Sequence, residues 1–520
     1  MKKTILLIVF FFVLFSSQLY AQAGLLDNTY GNGGKATTAV GTGNSEGWGM
    51  AIQDDWSVVV GGFEYNGIDS NFALIRYKPN GTLDSTFGLN GEVITPMGNG
   101  SSVIYSVALQ PDGKIIAGGT AWNGSKFKFA LARYNTNGTL DSTYGTNGKV
   151  ITSLSNGNDK IRSVGVKYDD WSVVVGGASF GGSNMDFALA KYKTDGTLDS
   201  TFGTNGKVTT DISNGTDIIF SLAFESDWSV VVGGFAFNGL KMNFALAKYT
   251  ANGALDNTFG TGGKVVTSIG DSADLIWSIS VDTSSHKIIA GGFSGNGINN
   301  DFALARYNGD GSLDNTFGVQ GKTVTDMGGN DEAIYAVVRQ PDGKIVAAGN
   351  SNTGGADNNA LTRYNTNGTL DSTFGTNGIV ISQLSTGDNE AYAAVIQPDG
   401  KIVTSGFATD NNQSYFFAAR YLTGLSLGVV DFSVSNNQLL IYPNPVEQNA
   451  TLKYTLNKEE LISINLVDMQ GRIVNTLVNN QTQTIGEHKQ AILFPDELAS
   501  GSYLLVISTP NGKMSIQIVK

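Results

Sequence analysis

The sequence predicts an all-β chain: a seven-bladed β-propeller closed by its N-terminal strand, followed by a small Ig-like β-sandwich. The first observation is a repeat. The hexapeptide Leu140-Asp141-Ser142-Thr143-Tyr144-Gly145 has close copies with their Asp at 27, 84, 141, 199, 256, 314 and 371, in steps of 57 or 58 residues. Self-similarity at a fixed period marks units that bury their faces only by stacking on one another. The second is composition, since 67 glycines in 520 residues and few helix-like apolar spacings point to strands and turns. The third is a count that closes a circle. Seven Gly-ended second strands and seven third strands occur, and the last third strand, ending at Tyr421, has no fourth strand after it. A lone loop and fourth strand, 26–40, stands at the start and supplies the missing outer strand, which removes the open edge of a linear array.

In the type unit, 104–109 reads as the first strand and Pro111-Asp112-Gly113-Lys114 as a tight turn, with Pro fixing one dihedral and Gly supplying the unusual one. A second strand spans 115–121, Asn123-Gly124 is a hairpin signal, and 127–134 is the third strand. Asn137-Gly138, the repeated hexapeptide and Asn147-Gly148 lead to a fourth, 149–154. Two units are one residue longer, and the extra residue falls in the turns at 169–172 and 283–286, where a hairpin tolerates it. In six units a basic residue, Arg133 in the type unit, precedes the Asp by eight positions.

The N-terminus reads as a secretory leader, 1–23: Lys2 and Lys3, an apolar run over 5–15, then small residues, with cleavage after Ala21 or after Ala23. Eleven apolar residues are too few to span a bilayer. Loss of the two lysines takes the formal charge from -12 to -14, and an acidic surface repels phosphate backbones, so nucleic acid is excluded as a partner. Cysteine is absent and the two histidines are His286 and His488, which leaves little material for a thiolate site, a catalytic triad or a multi-histidine metal site. The propeller occupies 24–424, and 425–438 is a linker without period. From 439 to 520, alternating runs separated by turn residues predict the sandwich.

The Pro-Asp-Gly-Lys turn, the Gly-Gly strand end, Phe129-Ala130-Leu131-Ala132-Arg133-Tyr134 and Asn137-Gly138-Thr139-Leu140-Asp141-Ser142-Thr143 together resemble the bacterial delta-60 repeat in all seven units. That resemblance implies a secreted β-propeller without a general activity. Three turns depart from it: Asp55-Trp56-Ser57, Asp170-Trp171-Ser172 and Asp227-Trp228-Ser229 place Trp where the repeat has Gly, which demands a strained dihedral or another turn type. Tyr442-Pro443-Asn444-Pro445, Gly471-Arg472, Gly501, Tyr503 and the terminus Ile518-Val519-Lys520 resemble the type A C-terminal sorting domain of the type IX secretion system of Bacteroidetes. That resemblance implies the type IX machinery as partner, outer-membrane translocation, and a protein that is secreted or attached at the cell surface.

Asn135-x-Asn137-Gly138-x-x-Asp141 partly matches a calcium loop, but Arg133 stands where the first carboxylate belongs, so no cofactor is expected there and the Arg is expected to pair with Asp141. Glu46, Asp159, Asp217, Asp274, Glu332 and Glu390 fall near the start of the innermost strand, with Ser102 in the second unit. They are expected either to ring one mouth of the channel, where a cation such as Ca²⁺ or a basic group could sit, or to accept hydrogen bonds in their own turns. An aromatic follows soon after in most units (Trp48, Tyr105, Phe220, Trp277, Tyr335, Tyr392, with Arg162 in the third), which blade-to-blade packing explains. Trp56, Trp171 and Trp228 emerge on one face and could stack on sugar rings or dock a protein, or fold back over a neighbouring blade. Trp122 and Phe127 flank a hairpin on the opposite face. Asp-Ser-Thr within the repeated loop resembles the O-glycosylation motif of Bacteroidetes exported proteins, and turn chemistry explains it equally.

The function expected from the sequence is that of an exported, non-enzymatic, monomeric propeller that binds a polysaccharide or protein outside the cell. The alternative is a secreted polysaccharide hydrolase or lyase with carboxylates in the channel, and near-identical repeats argue against it because catalysis needs two carboxylates in unlike environments.

Overall fold

The computed structural model describes residues 23–424 and, within 440–520, all but 443–445, 447, 457–458, 469–472, 495–497, 499–500 and 510–511. Residues 1–22 of the leader, the linker 425–438 and the motif residues Pro443, Asn444, Pro445, Gly471 and Arg472 lie outside the described residues. Seven four-stranded antiparallel sheets form the propeller. Their innermost strands are Ser45–Ile52, Ser102–Leu109, Asp159–Val166, Asp217–Phe224, Asp274–Asp282, Glu332–Arg339 and Asn389–Ile396, taken below as blades 1 to 7. Each inner strand touches the next, and the seventh touches the first.

Blade 7 is completed from the other end of the chain. Lys35–Thr38 pairs with Gln413–Tyr421, Lys35 opposite Ala419 and Thr38 opposite Phe416, and Leu26 bridges to Tyr421. Arg420 then makes with Asp27 the contact that Arg133 makes with Asp141, Nε to Oδ2 at 2.9 and 2.8 Å. The same guanidinium also clamps the following blade: Arg133 donates to the Thr194 carbonyl at 2.6 Å and Arg420 to the Pro79 carbonyl at 2.6 Å. The Tyr that ends each third strand is buried, and Tyr134 and Tyr249 reach a Thr of the preceding blade's outer strand at 3.0 and 2.9 Å.

The paired glycines of the second strand have a packing cause. In every blade the inner strand carries a β-bulge, between Ile104 and Ser106 in blade 2, which throws its backbone toward the second strand. A Cβ on Gly119 would lie 1.9 Å from the Val103 carbonyl oxygen, so only glycine fits.

The tail forms a three-stranded and a four-stranded sheet. Leu452, Tyr454 and Ile492 of the first share one core with Ile464, Leu466, Leu505 and Ile507 of the second. Tyr503 is buried, Tyr442 is half exposed, and Gly501 exchanges two backbone hydrogen bonds with Lys520.

Candidate functional site

The bulged residue of each inner strand is Trp48, Tyr105, Arg162, Phe220, Trp277, Tyr335 or Tyr392, and together the seven line the central channel. They touch one another in a closed collar. Trp48 stacks on Tyr392 with ring centroids 4.3 Å apart and meets Tyr105 edge-on at 5.4 Å. The Arg162 guanidinium lies 4.1 Å over Tyr105 and 5.4 Å from Phe220. Phe220, Trp277, Tyr335 and Tyr392 follow at 4.2, 5.2 and 4.6 Å. These rings therefore pack blade to blade, as the sequence pattern predicts, and do so on the channel wall. Their place on the wall comes from the bulge, which re-aims one side chain per strand.

A hydroxyl ladder supports the collar. Beyond the bulge, Ser106, Ser163, Ser221 and Ser278 each accept a hydrogen bond from the next blade's backbone N–H, of Val164, Leu222, Ile279 and Val337, at 3.0 to 3.1 Å. Ala336, Ala393 and Gly49 hold that place in blades 6, 7 and 1, so the ladder stops along one side of the channel.

The six carboxylates do not form one ring. Asp159, Asp217, Asp274 and Glu332 are the first residues of their strands, are fully buried, and accept backbone hydrogen bonds from the turn before them. Leu154 N–H donates to Asp159 at 2.9 Å, Ile212 N–H to Asp217 at 2.7 Å, Ile269 N–H to Asp274 at 2.9 Å and Met327 N–H to Glu332 at 3.0 Å. Glu46 and Glu390 stand one residue later in their strands, after Ser45 and Asn389, and a one-residue offset sends a side chain to the opposite face. Only these two face the channel, side by side on blades 1 and 7. Burial pushes the Glu390 carboxyl up to about 7, which the Tyr392 and Tyr335 hydroxyls beside it only partly offset. Burial raises Glu46 as well. On blade 3, Lys160 occupies the register of Glu46 and is lowered by burial and then by the charge of Arg162. The channel is thus acidic toward blades 7 and 1 and basic toward blade 3.

Trp56, Trp171 and Trp228 have φ of 67, 57 and 63° in the turns between first and second strands, where Gly113, Gly343 and Gly400 stand in blades 2, 6 and 7. Trp228 lies against Phe224, rings 5.6 Å apart, and under the Lys167 ammonium of blade 3 at 5.1 Å. Trp171 is 39% exposed, the most open of the three. Trp122 and Phe127 pack edge to face at 5.1 Å. In the loop that partly matches a calcium site, Asn137 and Asp141 accept hydrogen bonds from Thr139 and Thr143, and Asp141 pairs with Arg133.

A family model described as a domain of unknown function (DUF5122) beta-propeller matches seven segments: 53–87, 110–144, 172–202, 229–259, 287–317, 340–374 and 397–427. A second, described as a secretion system C-terminal sorting domain, matches 440–520. The chain is a DUF5122 propeller with a type IX sorting tail. The tail marks the protein for export to the cell surface or the extracellular space. Among solved structures, Chaetomium thermophilum Sqt1 is 15% identical, with 75% of this chain and 98% of that chain covered and a TM-score of 0.42. PorZ, a surface component of the type IX secretion system of Porphyromonas gingivalis, is 10% identical over 90% of this chain and 58% of that one, TM-score 0.39. The polysaccharide lyase Uly1 is 11% identical over 78% and 94%, TM-score 0.42. These likenesses concern the fold. No curated protein sequence matches the chain.

The DUF5122 turns hold a fourth departure from glycine. His286 takes the Trp position of blade 5 at φ 56°, and its Nδ1 lies 2.9 Å from Glu225 of blade 4, a buried carboxylate. The extra residue in that turn hides it, but counting back from the second strand, Lys287–Gly295, reveals it. Among the described residues no helix is long and apolar enough to cross a membrane.

Proposed function

We propose that this exported DUF5122 propeller is a non-enzymatic binding protein that takes a polysaccharide or protein ligand on the face carrying Trp56, Trp171 and Trp228. One observation carries the reading: three indoles sit in the left-handed region where blades 2, 6 and 7 use glycine. That conformation costs a non-glycine residue about 1–2 kcal/mol. The Trp turns also forgo an ion pair that the glycine turns make. After glycine comes a lysine that pairs with the anchor Asp, as Lys114 does with Asp141 at 3.0 Å and Lys344 with Asp371 at 2.9 Å. After each Trp comes Ser57, Ser172 or Ser229, which carries no charge. Strain kept where a relaxed alternative exists in the same chain is the mark of a site under functional demand.

The test is glycan-array and pull-down binding of the mature chain with each Trp changed to Gly. Trp56→Gly and Trp171→Gly are expected to melt no lower than the native chain and to lose ligand by tenfold or more. Binding unchanged in all three variants would overturn the reading.

A second reading, a polysaccharide hydrolase or lyase, draws on Glu390 and Glu46, which break the sevenfold pattern and lie in unlike surroundings. Against it, the collared cavity holds about 200 Å³, below the ~300–1,000 Å³ usual for small-molecule sites. Polymer cleavage that survives the Trp changes and is abolished by Glu390→Gln would favour it.

A further inference from the structure

Each junction between blades brings together three equivalent positions: the second residue of one blade's third strand, the residue just after its outer strand, and the first residue of the next inner strand. Between blades 2 and 3 these are Lys128, Ser153 and Asp159. The Lys128 ammonium is buried there, 3.0 Å from Asp159 Oδ2, 2.7 Å from the Ser155 carbonyl and 2.6 Å from the Gly157 carbonyl. Oxygen atoms from one loop and the strand start that follows it thus build a cage around one positive charge.

Between blades 5 and 6 the same positions are Asp301, Asp326 and Glu332, whose carboxylate oxygens all lie within 4.8 Å of one another. The ammonium is replaced by a carboxylate, and the loop serine by another. Asp301 is 6% exposed; its Oδ2 accepts from Asn296 at 3.0 Å, while its Oδ1 has no hydrogen-bond partner. Glu332 is 1% exposed and accepts from Met327 N–H, Gly329 N–H and Ser351. Among the described residues no Lys, Arg or His pairs with these three acids. A lysine that opens the outer strand elsewhere, such as Lys322 on the Ser268 carbonyl at 2.7 Å, is Ile379 at this junction. The two changes to Asp occur together again between blades 3 and 4, at Asp186, Asp211 and Asp217.

We propose that the junction of blades 5 and 6 is a divalent-cation site in which Asp301, Asp326 and Glu332 hold a Ca²⁺ ion where the equivalent junction of blades 2 and 3 holds the Lys128 ammonium. Three carboxylates and no nitrogen or sulfur donor make a hard, all-oxygen set, which suits Ca²⁺ better than a transition metal. The site lies between blades, away from both the collar and the Trp turns, and its role is to join two sheets.

The test uses the mature full-length chain, freed of metal with EDTA, in calorimetric titration and thermal unfolding. Ca²⁺ at about 10 mM is expected to raise the melting temperature by ~3 °C, with Mg²⁺ giving less. Asp301→Asn is expected to lower the Ca²⁺ stoichiometry by one. Asp301→Lys, which copies Lys128, is expected to lower it by one while melting in EDTA at or above the native chain in EDTA. Asp186→Asn is expected to leave Ca²⁺ binding at Asp301 intact. The proposal is overturned if the native chain binds no Ca²⁺, or if Asp301→Asn keeps the full stoichiometry.

Discussion

Arg420 and Asp27 stand 393 residues apart in the chain and make, through Nε and Oδ2 at 2.9 Å, the pair that Arg133 and Asp141 make at a separation of eight. Both side chains are buried, with 7% and 6% of their surface exposed, and Lys401 adds a second cation at 3.1 Å. The repeated local contact is thus also the latch of the ring. Removing one member of a buried pair strands the other, so Arg420→Ala is expected to cost about 3 kcal/mol, read as a lower melting temperature. Burial raises the Asp27 carboxyl, but hydrogen bonds from Thr29 and Lys401 and the charge of Arg420 outweigh it and hold the group at about 2, below the ordinary 3.8. A depressed carboxylate contributes stability above its unfolded value that fades as pH falls through its folded one. The latch is therefore expected to hold to pH near 4 and to weaken toward pH 2, and Asp27→Asn should flatten that loss.

Glu390 has the opposite sign. Its folded value of about 7 exceeds the ordinary 4.5, so the folded state holds the proton more tightly and stability falls as pH rises from about 4.5 through 7. Glu390→Gln is expected to remove that slope and to stabilise the chain at pH 8 by up to about 3 kcal/mol. Denaturant midpoints at pH 4.5 and 8 measure it; an unchanged slope would place the carboxyl in water.

Ser221 accepts the Ile279 N–H at 3.1 Å across the junction of blades 4 and 5. Ser221→Ala leaves that donor without its acceptor beside the collar and is expected to cost about 1–2 kcal/mol. Ala336→Ser, at the same place in blade 6, extends the ladder instead and should be neutral or stabilising by the same assay.

Ala23 is 6% exposed, lies in the core cluster of the last blades, and accepts a hydrogen bond from Gly375 N–H at 2.8 Å. A leader removed after Ala23 takes that contact away, whereas removal after Ala21 preserves it. The mature chain is expected to begin at Gln22, which N-terminal sequencing checks. A chain made to begin at Gly24 should melt lower.

The ring, its seven units and its closure were legible because glycine turns and a strict period fix them: Asp27 at one end and Tyr421 at the other already counted the blades. The channel was only half legible. Glu46 and Asp159 look equivalent when loops of different sequence are aligned, yet they differ by one place along a strand, and in a pleat one place is the difference between the lumen and the blade interior. The bulge at Trp48 was invisible for the same reason, although the second glycine of each pair, Gly62 in blade 1, is its trace: a Cβ there would lie 1.7 Å from the Glu46 carbonyl oxygen. Junction chemistry was hidden because Asp301, Asp326 and Glu332 are scattered through three elements and meet only when blades stack.

The seventh sheet takes Lys35–Thr38 from before the first blade and Gln413–Tyr421 from the last repeat. The segment synthesised earliest is consequently the last to find its place, and the disc stays an unsealed crescent until residue 421 has been made. Loop-closure entropy grows only slowly with length, so the 393-residue separation of Asp27 and Arg420 adds about 3 kcal/mol over an eight-residue one. A nascent chain stalled anywhere before that point exposes two raw sheet margins, and a truncated product would adhere to its own kind.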